Sequence, residues 1–83
     1  MENRQIADVF TEIADILDIK GDNPFRIRSY RNAARAVGDM SENVAAMVRD
    51  GKGLERIPGI GASIAEKIKE IVSTGKLKFL SEL

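Results

Sequence analysis

The first residues of the chain alternate apolar and polar side chains with the spacing of an amphipathic α-helix. This pattern predicts a first helix over residues 3–18. Its apolar positions are Ile6, Val9, Phe10, Ile13, Ile16 and Leu17. Gly21 can end this helix, Asn23 can cap the next one, and Pro24 suits the first turn of that next helix. A second helix is therefore predicted over residues 24–37.

The rest of the chain predicts further short helices and no β-strand. Ser41 is the predicted N-cap of a third helix that Gly51 closes. The stretch "LERI" at 54–57 predicts a short helix or turn, and residues 62–73 predict a helix ended by Gly75. The last eight residues predict a final helical turn. Since no run alternates with a period of two over a useful length, we expect one all-α domain of four to five short helices spanning residues 1–83.

The composition excludes several classes of enzyme. The 83 residues include no cysteine and no histidine. The chain therefore holds no thiolate nucleophile, no cysteine or histidine ligand for zinc and no Ser/His catalytic pair. No segment is long and apolar enough to span a membrane, and the N-terminal residues do not resemble a signal peptide. We expect a soluble, cytoplasmic, monomeric protein with no membrane partner.

Charge is balanced over the whole chain but is distributed unevenly along it. Thirteen basic residues stand against thirteen acidic ones. Residues 1–23 hold two basic and six acidic side chains, whereas residues 24–37 hold four arginines and no acid. These arginines are Arg26, Arg28, Arg31 and Arg35. Because a polyanion responds to the local field more than to the total charge, this pattern is compatible with nucleic-acid binding.

The stretch "IPGIGASIAEKI", residues 57–68, joins a tight turn to the start of a helix. Pro58 fixes one φ angle and Gly59 permits a positive one, so the chain can reverse tightly. Gly61 leaves the first amides of the following helix bare, and such amides attract a phosphate oxygen. The spacing is similar to the helix-hairpin-helix motif, over about residues 54–74, which grips nucleic-acid backbone without reading its sequence. Alternatively, the glycines only form a turn, as in related helical modules that bind proteins.

Two longer stretches extend this likeness to nearly the whole chain. "KGDNPFRIRSYRNAARAV" and "LERIPGIGASIAEKIKEIVSTGKLKFLSEL" resemble the N-terminal domain of the family X DNA polymerases, the bacterial and archaeal members above all. The resemblance implies a compact helical bundle containing the hairpin motif, at the start of a longer polymerase. It also implies binding to the 5′-phosphate side of gapped or nicked DNA during base excision repair and gap filling. Mg²⁺ is expected only in a polymerase domain that these 83 residues do not contain.

The same resemblance implies a lyase activity. In lyase-active members, a lysine in the "AEK" of the motif forms a Schiff base with a 5′-deoxyribose phosphate, and that position is Lys67. A lysine attacks the sugar aldehyde as a neutral amine, and the step needs no cofactor. Alternatively, Lys67 is a solvated lysine that pairs with Glu70 one turn on. The rival functions are a DNA-binding module without catalysis and a helical protein-interaction module.

The family's 5′-phosphate pocket has matching positions at Arg26, Tyr30 and Ser63. An arginine can clamp a phosphate with two hydrogen bonds, and a tyrosine hydroxyl can donate a third. Ser63 replaces a lysine of the family, which removes a charge that Arg28 or Arg31 could restore. Tyr30 could instead pack in the core with its hydroxyl at the rim.

Other positions also match the family. Phe25 lies where a family member has a histidine that stacks on a base; it either stacks likewise or fastens the start of the second helix to the core, and we favour the core role. Lys76 and Lys78 match basic positions near the DNA backbone, or form an ordinary solvated helix end. In the family, three backbone carbonyls of the hairpin hold a sodium or potassium ion. Their positions here are Glu55, Ile57 and Ile60.

Overall fold

Five α-helices and one 3₁₀ turn make up the computed structural model, which describes residues 1–83. The helices are α1 (Asn3–Ile19), α2 (Pro24–Gly38), α3 (Val44–Arg49), α4 (Ala62–Thr74) and α5 (Lys78–Glu82), and the 3₁₀ turn is Leu54–Arg56. No β-strand is present, so the predicted all-α class is confirmed. The predicted bounds of α1, α2 and α4 lie within one residue of the observed ones. None of the helices combines the length and the apolar character that crossing a bilayer requires.

The first two helices form an antiparallel pair joined by a four-residue connection. Gly21 has a φ of +73°, as the predicted helix end requires. Asn23 caps α2, since its side-chain oxygen accepts a hydrogen bond from the Phe25 amide at 2.8 Å, and Pro24 occupies the first turn. These local signals decide where α1 stops and where α2 starts, as the sequence predicts.

The core is built from apolar side chains of every long helix and contains no buried polar or charged side chain. Its largest fully buried side chains are Phe10, Ile6, Ile13, Leu17, Leu54, Ile68, Ile71, Val37 and Val44. Three aromatic rings run through one side of it. The Tyr30 ring lies 6.2 Å from the Phe10 ring and 6.0 Å from the Phe79 ring, measured between centroids. This stack connects α1, α2 and α5.

The start of α3 differs from the prediction. Ser41 is not the N-cap; Asn43 is, and its side-chain oxygen accepts a hydrogen bond from the Ala46 amide at 2.8 Å. Asn3, at the start of α1, accepts a hydrogen bond from the Val44 amide at 2.8 Å and donates to the Met40 carbonyl at 3.2 Å. Because Asn3 holds the chain on both sides of Ser41, the helix begins two residues later than the local signal suggests.

Candidate nucleic-acid interface

The turn between the 3₁₀ segment and α4 reverses the chain over four residues. The Ile60 amide donates to the Ile57 carbonyl at 3.0 Å, and Gly59 has a φ of +93°. With Pro58 before it, this is the arrangement of a type II turn, which requires a residue that tolerates positive φ at its third position. A Cβ on Gly59 would lie 3.6 Å from the Ala36 Cβ and 3.7 Å from the Asn32 carbonyl oxygen. The turn therefore rests on the second half of α2.

The start of α4 presents backbone N–H groups that have no acceptor in the protein. The first amide of this helix with a partner is that of Ala65, which donates to the Gly61 carbonyl at 2.9 Å. Gly61 is the N-cap residue, and because it has no side chain it cannot accept a hydrogen bond from the amides between it and Ala65. The exposed amides of Gly61, Ala62 and Ser63 are therefore bare, at the end of the helix where the dipole favours an anion.

These amides open into a groove of about 440 Å³ between α2 and α4, here called the amide groove. It is lined by Arg26, Ser29, Tyr30, Asn32, Gly59, Gly61, Ala62, Ser63 and Ile64. Arg26, Tyr30 and Ser63, the three positions that match the family's 5′-phosphate pocket, are in this set, together with Gly59 and Gly61 of the hairpin. The structure thus brings together a guanidinium, a hydroxyl and bare amides, which are the groups that a phosphate monoester accepts hydrogen bonds from.

A second groove of about 600 Å³ adjoins the first, and is called here the lysine groove. It is lined by Ser63, Glu66, Lys67, Lys69, Glu70, Ser73, Leu77 and Phe79. Ser63 lines both grooves, and the Lys67 ammonium donates a hydrogen bond to its hydroxyl at 3.2 Å. Since one turn of helix rises only about 5.4 Å, the amine lies close to the bare amides.

Two carboxylates line the lysine groove, but neither is paired with Lys67. Glu70 accepts a hydrogen bond from the Lys78 backbone amide at 2.6 Å, and Glu66 forms an ion pair with Lys69 at 3.4 Å. The proposed pairing of Lys67 with Glu70 is therefore wrong. Lys67 has no carboxylate partner and points its amine at Ser63 instead.

An aromatic surface underlies both grooves. The Lys67 nitrogen lies 5.1 Å from the centroid of the Phe79 ring and 6.0 Å from that of Tyr30. The Arg26 guanidinium carbon lies 5.2 Å from the Phe79 centroid. Tyr30 is only 5% exposed, and its hydroxyl has no hydrogen-bond partner within the protein. Every fully buried polar side-chain atom in the structure does have a partner, so the Tyr30 hydroxyl is not fully buried. The hydroxyl therefore reaches the surface of the amide groove, while the ring belongs to the core.

Some predicted residues lie outside both grooves. Arg31 lies against α1, 3.0 Å from an oxygen of Asp15 and 3.5 Å from one of Asp18, so it does not restore the charge missing at Ser63. Arg28 lies beside the Phe25 ring at 5.9 Å, also outside the two grooves.

The remaining predicted contacts are on the surface. Lys76 and Lys78 follow the end of α4, are exposed, and line neither groove. Phe25 is 74% exposed at the start of α2. The interpretation that this ring fastens the helix to the core is therefore wrong, because most of its surface is in contact with solvent. An exposed aromatic ring is suited to stacking on a base, and that role stays a prediction.

Comparison with known proteins agrees with this geometry. Residues 1–77 match the helix-hairpin-helix domain family. The chain belongs to this family. It is also 30% identical, over all 83 residues, to part of the DNA polymerase/3′-5′ exonuclease PolX of Bacillus subtilis (strain 168). The chain spans 14% of the length of that relative, whose N-terminal region it matches. Helix-hairpin-helix domains bind DNA, and the resemblance to a family X polymerase is confirmed.

In a helix-hairpin-helix domain the turn also presents backbone carbonyls, and the predicted cation ligands are three of these. The carbonyls of Glu55, Ile57 and Ile60 lie within six consecutive residues around the type II turn. The Ile57 carbonyl accepts one hydrogen bond, from Ile60, which leaves its second lone pair for another partner. Backbone carbonyl oxygens are suitable ligands for Na⁺ and K⁺. These oxygens are of the type that binds a monovalent cation, and the site itself stays a prediction.

Three residues of the helix-hairpin-helix interface are absent from the sequence-based interpretation. Ser29 and Asn32 line the amide groove, and Phe79 contacts both predicted cationic residues. On α2, Ser29 lies three residues after Arg26 and Asn32 lies three residues after Ser29, so helical periodicity could have identified them. No local pattern could have identified Phe79, because its contacts are with residues on two other helices.

Proposed function

We propose that this domain binds the 5′-phosphate side of gapped or nicked DNA and cleaves a 5′-deoxyribose phosphate from it by forming a Schiff base with Lys67. The observation that carries the proposal is the union of the two grooves at Ser63, which brings a phosphate-binding surface next to an amine without a carboxylate partner. We also propose that the domain serves a family X DNA polymerase in gap filling and base excision repair, as the DNA-binding part of a longer chain.

The amide groove supplies the recognition of the phosphate. The bare amides of Gly61, Ala62 and Ser63 donate to its oxygens, and the α4 dipole favours its charge. Arg26 uses one nitrogen on Asp22 at 3.2 Å and retains further N–H donors for the anion. The Tyr30 hydroxyl donates from the opposite wall of the groove. A terminal phosphate accepts more of these hydrogen bonds than an internal phosphodiester does, which favours a 5′ end.

The lysine groove supplies the chemistry. Lys67, as a neutral amine, attacks C1′ of the ring-opened sugar aldehyde, and loss of water gives an imine. The imine acidifies the C2′–H bond; water accepts this proton, the C3′–O bond breaks, and the rest of the strand leaves with a 5′-phosphate. Hydrolysis of the imine returns the free amine. Water is the only reactant that neither the chain nor the DNA supplies.

A monovalent cation completes the proposed interface. The carbonyls of Glu55, Ile57 and Ile60 would hold Na⁺ or K⁺, which would supply positive charge for a backbone phosphate beside the turn. Mg²⁺ would be needed for nucleotidyl transfer, which uses a carboxylate cluster, and we assign that ion to the polymerase domain of the proposed longer chain.

Borohydride trapping on a gapped duplex with a 5′-deoxyribose phosphate tests the lyase. The wild-type chain should give a covalent adduct, and Lys67→Ala should give none. Lys69→Ala is the matched control: this lysine lies two residues away in the same groove but is paired with Glu66, and its adduct should form at the wild-type level. If the wild type gives no adduct, or if the adduct persists in Lys67→Ala, the lyase proposal fails.

Salt titration tests DNA binding separately from catalysis. The affinity for a 5′-phosphorylated gapped duplex should fall as salt rises, with a log–log slope of about −0.7 to −0.9 for each phosphate contacted. Salt-dependent binding without an adduct would indicate a DNA-binding module in which Lys67 makes only an ionic contact. The absence of DNA binding, or an affinity that does not respond to salt, would favour a protein-interaction module.

A further inference from the structure

Phe79 is the only residue whose side chain contacts both predicted cations of the site through its ring. The Lys67 nitrogen and the Arg26 guanidinium carbon lie 5.1 Å and 5.2 Å from its centroid, although they come from α4 and α2. Both distances are within the range in which the ring quadrupole attracts a cation. Tyr30, the next ring in the stack, adds a longer contact to Lys67 at 6.0 Å.

The Phe79 ring is restrained by stacking on Tyr30 and by contacts of the backbone just before it. Its partner in the stack, Tyr30, is buried and itself stacks on the fully buried Phe10. The backbone before Phe79 is fixed by the hydrogen bond from the Lys78 amide to Glu70 at 2.6 Å and by the burial of Leu77, which is 3% exposed. The ring is therefore a rigid surface attached to the core, and its outer part lies at the lysine groove.

Lys67 has few other restraints. Its side chain has four rotatable bonds, no carboxylate partner, and a single hydrogen bond, to the Ser63 hydroxyl. A serine hydroxyl can rotate and can donate as well as accept, so by itself it holds the amine weakly. Arg26 has one ion pair, with Asp22, and both members of that pair are partly exposed. The Phe79 ring is the contact that the two side chains share.

We propose that Phe79 is a positioning residue: its ring holds the Lys67 amine and the Arg26 guanidinium on the same side of the site, at the junction of the two grooves. This inference rests on the proposed function, in which Arg26 binds the 5′-phosphate and Lys67 attacks the attached sugar. Because both groups contact one ring, Arg26 can bind the phosphate while Lys67 attacks C1′ of the same nucleotide. Ring and cations therefore act as a unit.

The variants to compare are Phe79→Leu, which keeps an apolar side chain without a ring, and Phe79→Tyr, which keeps the ring. Glu82→Gln is the control on the same short helix, since Glu82 makes no contact with either cation. The trapping rate at saturating gapped DNA should fall about threefold to tenfold in Phe79→Leu. It should stay within about twofold of wild type in Phe79→Tyr and Glu82→Gln. Phe79→Met replaces the leucine variant if thermal unfolding shows that the latter is not folded at the assay temperature.

A second measurement separates positioning from general stability. In the DNA-free protein, the ring current of Phe79 should shift the ε-methylene protons of Lys67 upfield in the wild type and in Phe79→Tyr. That shift should be lost in Phe79→Leu while the amide spectrum stays native. Loss of this shift in Phe79→Leu follows from removal of the ring under either role, so the discriminating readout is the NMR order parameter of the Lys67 ε-carbon. A positioning role predicts that it falls in Phe79→Leu and stays at the wild-type value in Phe79→Tyr, whereas a purely structural role predicts equal values in all three proteins. Equal trapping rates in wild type and Phe79→Leu, or a loss that tyrosine does not restore, would overturn the inference.

Failure of the proposed lyase can be told apart from failure of this inference. If the wild type itself forms no adduct, the lyase proposal is lost. The role of Phe79 is then tested by its effect on phosphate binding, which the proposed function assigns to Arg26. The comparison is then the affinity for 5′-phosphorylated relative to 5′-hydroxyl gapped DNA, which should fall about threefold in Phe79→Leu and not in Phe79→Tyr. An unchanged affinity ratio would contradict the positioning role.

Discussion

On one side of α2, Arg31 lies 3.0 Å from Asp15 and 3.5 Å from Asp18 of α1. On another side, Arg26 lines the amide groove, with one aspartate at 3.2 Å and the Phe79 ring at 5.2 Å. Both arginines belong to the same acid-free stretch of sequence, five residues apart. Their surroundings differ because α1 is acidic, whereas the hairpin that faces Arg26 presents bare amides.

The comparison shows that a basic segment does not make a uniform basic surface. A guanidinium between two carboxylates must exchange those partners before it binds a phosphate, so its charge contributes little to the attraction of DNA. A guanidinium beside unpaired N–H groups adds to a field that already favours an anion. The position of each arginine relative to α1 and α4 therefore decides its function, and the count of arginines does not.

The largest expected effect comes from exchanging the two arginines for glutamine one at a time. Arg26→Gln removes charge-assisted hydrogen bonds to the phosphate, and should weaken binding of 5′-phosphorylated gapped DNA about tenfold or more, from ~1.5–3 kcal/mol. Arg31→Gln should change this affinity by less than about twofold. Fluorescence anisotropy with 5′-phosphorylated and 5′-hydroxyl duplexes measures both, and only Arg26→Gln should reduce the preference for the phosphate.

The stability of the two variants serves as the control for this experiment. The ion pairs of both arginines are formed by partly exposed side chains, and such pairs contribute at most about 1 kcal/mol. Thermal unfolding should therefore shift by only a few degrees in each. A similar loss of DNA affinity in Arg31→Gln and Arg26→Gln would contradict the division of α2 into two sides.

The next largest effect concerns the turn before α4, which places the bare amides beside Arg26. Gly59→Ala forces a φ of +93° on a residue with a side chain, at an expected loss of about 1–2 kcal/mol. The added methyl would also contact Asn32 and Ala36. The melting temperature should fall by about 5–10 °C, and DNA affinity should fall about fivefold as the bare amides move. Circular dichroism and anisotropy measure the two losses.

Gly53→Ala is the matched control for the turn. Gly53 has a φ of −71°, and a Cβ there meets no atom within 4 Å. Its stability and its DNA affinity should stay near the wild-type values. If Gly59→Ala is as stable and binds as tightly as Gly53→Ala, the turn does not depend on positive φ and the amide groove has a different origin.

How much of this could be read from the sequence depends on the range of the interactions involved. The bounds of α1 and α2 follow from Gly21, Asn23 and Pro24, which act on their own neighbours, and the prediction is accurate there. The start of α3 depends on Asn3, 41 residues away from its partner Val44, and the local signal at Ser41 gave the wrong N-cap.

The candidate site follows the same rule. The hairpin amides and the residues Arg26, Tyr30 and Ser63 come together as predicted, because the motif spacing fixes where α4 starts and α2 lies beside it. The pairing of Arg31 with α1 and the contact of Phe79 with two other helices are tertiary, and periodicity along one segment contains no information about them. Phe25 shows the reverse error: an apolar residue near a helix start suggests a place in the core, but the side chain is 74% exposed.

The smallest expected effect would reverse the comparison itself. Asp15→Asn combined with Asp18→Asn removes the two carboxylates that hold Arg31, and should free its charge for DNA. Because Arg31 lies outside the amide groove, the gain should be equal for 5′-phosphorylated and 5′-hydroxyl duplexes. The salt slope should steepen by about 0.9, as expected for one additional phosphate contact.

Asp8→Asn combined with Glu12→Gln removes the same charge from α1 but leaves both ion pairs of Arg31 in place. The double aspartate variant should therefore bind about twofold tighter than this control at low salt, since only its extra contact is specific to Arg31. Equal affinities and equal slopes in the two variants would mean that net charge, and not the pairing of Arg31, distinguishes the two sides of α2.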